Sequence, residues 1–340
     1  MAWERTADEA KRGVLTEIRA RRVLSDILEQ TSGVQITSSS VRDYFREWVH
    51  SRQQEKANRT YLKYGQVSEH FIASLGSRAA LPLAAIVTAD ISAWRDRLVS
   101  EGRSSTTTNA SLKIVSSVFE KARRGGRIPI NPCHELGALK DRSQGKRDTF
   151  TMEQLQAILL AAEGSDWKGA TLMGFFTGLR LQDVTNLLWE SVDTANPSCW
   201  LIRVVTSKTG REVAVPVHPE LRAWLESQPR GIGKTPVFPS LVGKSGSGRS
   251  GLSMQFKRLM QRADVRGKML RQGSGAGRTT FSLSFHSLRH SFTSAMTAAG
   301  VSEEVRMMLT GHTTKSAHRV YSHLEMGQVW SAIAAIPRVL

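Results

Sequence analysis

The stretch Phe285-His286-Ser287-Leu288-Arg289-His290 continues as an apolar helical run to Gly300. It restarts at Ser302, stops at Thr310-Gly311-His312 and reaches Tyr321. The pattern predicts a helix capped by Ser287 and closed by Gly300 at C′, so that His286 and Arg289 flank a helix N-terminus. Such an end offers free backbone N–H groups and partial positive charge, which suit a bound phosphate. Gly311 stops the second helix and leaves His312 on a turn, and Ser316 caps a short helix carrying Tyr321. A phenol, two imidazoles and a guanidinium are thereby offered to one small volume without a carboxylate or thiol cluster. That inventory suits attack on a phosphodiester better than a metal site or acyl transfer.

The 340 residues around this stretch suffice for two domains, each with its own core. Lys and Arg outnumber Asp and Glu by 47 to 30, and the net charge of +17 points to a polyanionic partner, nucleic acid above all. The two cysteines, Cys133 and Cys199, have no CxxC spacing, which argues against a disulfide framework or a zinc site. A reducing, cytoplasmic and nucleoid-associated location is expected. No apolar run reaches transmembrane length, and charges stand where a signal peptide needs an apolar core, so no membrane partner is expected.

Upstream, residues 1–35 read as an amphipathic helix. Met1 to Gln30 holds six basic and six acidic residues, so this is no basic DNA-wrapping arm; it packs on its own protein or on a neighbouring copy. Residues 38–126 read as an all-helical domain, with helices near Val41–Ser51, Asn58–Leu75, Ala89–Glu101 and Thr106–Arg124 and with Thr88 and Ser105 as caps. The last helix carries Thr108, Asn109 and Lys113 away from its apolar face, as candidate contacts to DNA phosphates or base edges. Gly125-Gly126 and two prolines then break the helical pattern, and residues 127–148, ending in the basic Lys146-Arg147, read as a linker.

A second domain spans residues 149–323. Thr151 and Gln154 have capping-box spacing, and a helical run from Gly169 ends at Gly178. Arg180 then opens a new helix, with Asp183 placed to hold it or to cap the helix. Trp200–Val205 and Glu212–Val217 alternate as two strands of a hairpin whose turn holds Lys208, with Arg211 following as a further candidate DNA contact. Pro229–Gly251 reads as a mobile loop. Arg266–Arg278 reads as a second Gly-rich loop, with Lys268 and Arg271 as candidate phosphate contacts. Residues 324–340 form a tail helix with Met326, Val329, Trp330, Ile333 and Ile336 on one face. It needs a groove, its own or a neighbouring protomer's, and is assigned to protomer contacts.

The ordered set Arg180, Lys208, His286, Arg289, His312 and Tyr321 resembles the active site of the tyrosine recombinases, the phage-integrase family of site-specific DNA recombinases. The local wording agrees: Thr177-Gly178-Leu179-Arg180, the Lys208 turn, His286-x-x-Arg289-His290, Leu309-x-Gly311-His312 and a tyrosine nine residues on. Asp183 stands where that family more often has glutamate, and Ser287 where aspartate is frequent. The resemblance implies a mainly α fold with a small β-sheet in the catalytic domain: a two-domain, C-shaped clamp of a helical core-binding domain and a mixed catalytic domain. It implies that Tyr321 is the nucleophile that forms a 3′-phosphotyrosyl bond. Arg180 and Arg289 then hold the non-bridging oxygens, Lys208 is the general acid, His286 the base and His312 a phosphate donor, with Asp183 and His290 in support. No metal and no ATP are called for.

The partners it implies are double-stranded recombination sites, a homotetramer on DNA working through a Holliday junction, and a possible accessory directionality factor. Two other functions fit the same residues: a type IB topoisomerase-like or resolvase enzyme, and a catalytically silent DNA-binding regulator.

Overall fold

The computed structural model describes Ile27 and residues 39–140, 147–208, 210–248, 250–275, 278–310 and 326–340. The chain divides into two compact units, Met1–Ser143 with Gln272–Thr279, and Gln144–Arg271 with Thr280–Leu340.

The first unit is built on four helices, α1 (Val41–Ser51), α2 (Asn58–Leu75), α3 (Thr88–Ser100) and α4 (Ser105–Arg124). Two of their starts carry side-chain caps, in which Ser40 accepts from the Asp43 N–H and Ser104 from the Thr107 N–H, both at 3.1 Å. The caps of α3 and α4 fall one residue before the expected positions, at Val87 and Ser104. Aromatic side chains fill the interior: Phe71 packs edge-on against Trp94 (5.1 Å) and tilted against Phe45 (5.2 Å), and Phe119 meets Phe45 edge-on.

Part of the stretch that reads as a linker is built into this unit. Ile128 and Cys133 are buried. Asn131 donates to the Ser116 carbonyl (3.0 Å) and accepts from the Cys133 N–H (3.0 Å), so an asparagine closes the backbone bonds that a helix would otherwise provide. Burial pushes the Cys133 thiol up to about 12, against a weaker opposing hydrogen bond with Ser116.

The second unit has α6 (Asp166–Thr177) at its centre, after α5 (Met152–Ala161), whose capping box closes through Thr151 and Gln154 as expected. Ten of the twelve α6 residues, from Trp167 to Thr177 except Lys168, are buried, so the helix is apolar all round, as a core helix must be. After the short α7 (Leu181–Thr185) come β1 (Val192–Asp193), β2 (Leu201–Val205) and β3 (Glu212–Pro216), an antiparallel sheet in that order. Ile202 faces Val215 and Val204 faces Val213, and Ile202, Val213 and Val215 are buried.

Next are α8 (Pro219–Glu226), α9 (Leu252–Arg262), the paired β4 (Met269–Arg271) and β5 (Thr280–Phe281), α10 (Phe285–Ala298), α11 (Glu303–Thr310) and α12 (Met326–Ala334). Mainly helical architecture with small sheets is what the sequence implies. The strands β1, β4 and β5 are additions, each too short to show a period of two.

Two expectations change. Pro229–Gly251 is not a free loop: Val237, Phe238 and Leu241 are buried, the Val237 N–H donates to the Leu187 carbonyl (2.9 Å), and Gly243 N–H donates to Asn186 Oδ1 (3.1 Å). Its apolar residues are few but anchor it at one end. The tail assigned to protomer contacts is seated on its own unit, where Val329, Ile333, Ile336 and Val339 join the core.

His218 fixes the tail's path, stacked on Phe176 with ring centroids 3.9 Å apart. Its Nδ1 accepts from the Glu220 N–H (3.2 Å), so its Nε2 carries the proton and donates to the Ile336 carbonyl (3.2 Å). Burial, partly opposed by that bond and aided by Arg338, holds this imidazole down at about 4. Glu220 in turn accepts from the Val339 (2.9 Å) and Leu340 (3.3 Å) N–H groups. Among the described residues no helix is long and apolar enough to cross a membrane.

Candidate active site

Two glycines bring the site's elements together. Gly178 ends α6 in the left-handed region (φ +63°), where its N–H closes on the Gly174 carbonyl. A Cβ there would lie 2.6 Å from Phe292 Cδ1, and one on Gly174 2.8 Å from Phe285 Cζ, so α6 and α10 approach more closely than side chains would allow. The Gly178 carbonyl is turned to Arg289, whose Nη1 donates to it at 2.8 Å, while Nη2 donates to the Thr310 carbonyl. Two helix ends thus aim their backbone oxygens at one guanidinium that is 5% exposed.

Arg289 stands among charges. Burial, then Arg180, lower its guanidinium to about 10, against the opposing carboxylate of Asp183. Arg180 is the N-cap residue of α7, and its Nη1 is shut off from water with no hydrogen-bond partner among the described residues. An unpaired buried donor is costly, and an anion would relieve that cost.

Asp183 neither caps α7 nor bonds to Arg180. Its Oδ1 accepts from the Ser207 N–H at 2.9 Å, and its Oδ2 has no partner among the described residues. The carboxylate therefore ties α7 to the β2–β3 turn, one residue before Lys208. That turn closes through the Thr206 N–H to the Arg211 carbonyl and the Gly210 N–H to the Thr206 carbonyl, both at 2.8 Å, and leaves Lys208 exposed.

α10 begins at Phe285 with Ser284 as its N-cap residue, three positions before the expected Ser287. Ser287 instead sits inside the first turn and accepts from the Ser284 N–H (3.1 Å), a capping pattern that the Ser-x-x-Ser spacing could have disclosed. His286 is thereby on the first turn and Arg289 one turn further, on the same side by helical period. The His286 and His290 rings meet edge-on at 4.9 Å. Desolvation, then His290, Arg289, Arg147 and Arg180, push His286 down to about 4, and desolvation, Arg147 and Arg289 lower His290. Both imidazoles are neutral at neutral pH and available to accept a proton.

The structure thus brings together Arg180, Asp183, the Lys208 turn, His286, Arg289 and His290. His312 and Tyr321 lie outside the described residues. Of the candidate DNA contacts, Thr108 is fully buried and Asn109 spends its amide on Leu139, donating to its carbonyl and accepting from its N–H, both at 2.9 Å. Thr108 therefore offers no exposed group to a duplex, whereas Asn109 is half-buried with part of its amide committed. Lys113, Arg211 and Lys268 are exposed, and Arg271 is half-buried in β4. Among the described residues no group of three or more His, Cys, Asp or Glu could hold a metal ion.

A buried guanidinium, a second one with an unpaired donor and two neutral imidazoles stand together beside a helix start, a set of groups chemically suited to an anion. The chain belongs to the phage integrase family, that of the tyrosine recombinases, whose profile matches residues 148–328. Among curated relatives, the tyrosine recombinase XerC-like protein of Caldanaerobacter subterraneus subsp. tengcongensis is 21% identical over 318 residues, 82% of this chain and 77% of its own length. The tyrosine recombinase XerD of Ralstonia nicotianae is 24% identical over 231 residues, 64% of this chain and 69% of its own.

Two solved structures share the fold. A lambda integrase tetramer bound to a Holliday junction has a TM-score of 0.63 at 19% identity, covering 85% of this chain and 82% of that one. The Tn1549 transposon integrase in complex with transposon right end DNA has a TM-score of 0.62 at 17% identity, covering 86% and 98%.

Proposed function

We propose that this chain is a site-specific DNA recombinase that cuts and rejoins DNA through a phosphotyrosyl bond on Tyr321. The observation that carries the reading is the convergence of Arg289, Arg180 and the Asp183-anchored Lys208 turn on the helix start that bears His286. The phenol oxygen of Tyr321 attacks the phosphorus, a phosphotyrosyl ester forms at the 3′ end, and the bond to the 5′ oxygen breaks. A phenol with an ordinary pKa of about 10 needs a proton acceptor, and neutral His286 takes that role. The 5′ oxygen leaves with a proton from Lys208. Two permanently charged forks hold the non-bridging oxygens as charge builds on them. Because one phosphodiester replaces another, rejoining is the same sequence run backwards and needs no nucleotide.

Bound phosphate also changes His286. Desolvation is the main cause of the low value, and the negative charge offsets the further lowering by Arg289, Arg147 and Arg180, so the base strengthens when substrate is present. Four copies working on two duplexes through a junction is the arrangement in which the similar lambda integrase was captured, and we extend it to this chain. The central test is Tyr321→Phe. The variant is expected to bind duplex as the parent does and to form no covalent protein–DNA adduct on a nicked suicide substrate, in chelator and without ATP. An adduct of undiminished yield would remove the assignment. Relaxation of any supercoiled plasmid by the parent chain would favour a topoisomerase-like activity instead.

A further inference from the structure

In the sequence Arg147 reads only as the end of a basic linker. In the structure the segment Arg147–Phe150 is laid along the start of α10 by three hydrogen bonds. Arg147 Nη1 donates to Ser284 Oγ (3.0 Å), the Asp148 N–H to the Ser282 carbonyl (3.1 Å) and the Phe150 N–H to Ser291 Oγ (2.8 Å). Phe150 is buried in the core and locks the segment in place. The hydroxyl of the N-cap residue thereby accepts from a guanidinium brought in by the preceding segment.

That guanidinium is exposed, and among the described residues no carboxylate pairs with it. Its charge reaches His286 and His290. Three arginines therefore face one helix start from three places in the sequence: residue 147, the start of α7 and α10 itself. Gathering like charges is unfavourable until an anion joins them. In the functional reading above, Arg180 and Arg289 occupy the non-bridging oxygens of the attacked phosphate, which leaves the third fork for another one.

We propose that Arg147, seated on Ser284, holds the DNA backbone phosphate next to the one attacked. It is a substrate-positioning residue, and the assignment rests on the reading of the site as a DNA-cleaving one. A fixed grip one phosphate away sets where the strand lies over Tyr321 without touching the charge that develops at the reacting centre.

The test measures duplex affinity against salt for the Tyr321→Phe chain on a 40-base-pair duplex, with and without Arg147→Gln. Losing one phosphate contact is expected to reduce the slope of log K against log salt by about 0.9, with Arg147→Lys restoring it. Ser284→Ala, which removes the seat and keeps the charge, is expected to keep the slope. An unchanged slope in Arg147→Gln overturns the proposal.

In the chain with Tyr321 intact, adduct formation at saturating duplex is expected to slow in Arg147→Gln and to recover in Arg147→Lys, as for a strand that is bound but less well placed. Slower adduct formation with the slope unchanged would mark a role at the reacting centre and equally overturn the assignment. Absence of any adduct from the parent chain would sink the functional reading, in a different assay from the one that decides Arg147.

Discussion

Arg289 is held by the carbonyls of Gly178 and Thr310, so its position depends on a residue that has no side chain. Gly178 meets three demands at once: a positive φ, a close approach to Phe292 and a carbonyl directed at the guanidinium. Gly178→Ala is expected to destabilise the second unit by about 2 kcal/mol or more, from left-handed strain and overpacking together. It should also slow adduct formation, because displacing the carbonyl displaces Arg289. Thermal unfolding and single-turnover cleavage at saturating duplex would read the two effects. Normal stability in this variant would show that α6 and α10 can separate without cost. From the sequence, Gly178 is legible as a helix stop and Arg289 as a functional arginine, but the bond between them is not, since 111 residues separate the two.

The link between α7 and the β2–β3 turn is the counterpart at the level of elements. Asp183 holds Ser207, and Lys208 is next in the chain, so the acid positions the amine through the backbone. Asp183→Ala is expected to leave duplex binding intact and to slow cleavage by about 10²-fold, the order of loss that follows a small misplacement of a reacting group. Slow cleavage that a better leaving group at the 5′ oxygen restores would confirm that proton donation was lost.

The docking of the tail is the other element-level device. His218 is 1% exposed and its imidazole titrates at about 4 when docked, against 6.5 when free. Above 6.5 it is neutral in both states and docking has its full strength. As pH falls from 6.5 towards 4 the undocked chain takes up a proton that the docked one refuses, and docking weakens by up to about 3 kcal/mol. The protection factors of the Val339 and Leu340 amides, taken relative to the intrinsic exchange rate at each pH, should therefore fall over that interval. In His218→Gln, which cannot take up the proton, the step should disappear.

Across the whole molecule, the sequence discloses what depends on local pattern. The helix bounds of the first unit, the Thr151 capping box, the hairpin and the Gly300 stop follow from periodicity and cap chemistry, and the structure has them within a residue. Three kinds of feature escape it. Strands of two or three residues carry no period. The burial of Thr108 is set by helices that pack over it, although its own helix reads as amphipathic. The anchoring of Val237 and Phe238 arises from partners distant in the chain.

The burial of Cys133 has a practical consequence for anyone following this molecule spectroscopically. A thiol held at about 12 inside a packed core is almost wholly protonated at neutral pH and sheltered from reagents. Cys199, half-buried in the second unit and raised less, is the more reactive of the pair. Brief maleimide treatment of the native protein should therefore attach one dye, at Cys199, with mass spectrometry of peptides as the check. A fluorophore can thus be placed on one chosen half of the unmutated chain, which makes it ready for energy-transfer or anisotropy recordings without further engineering.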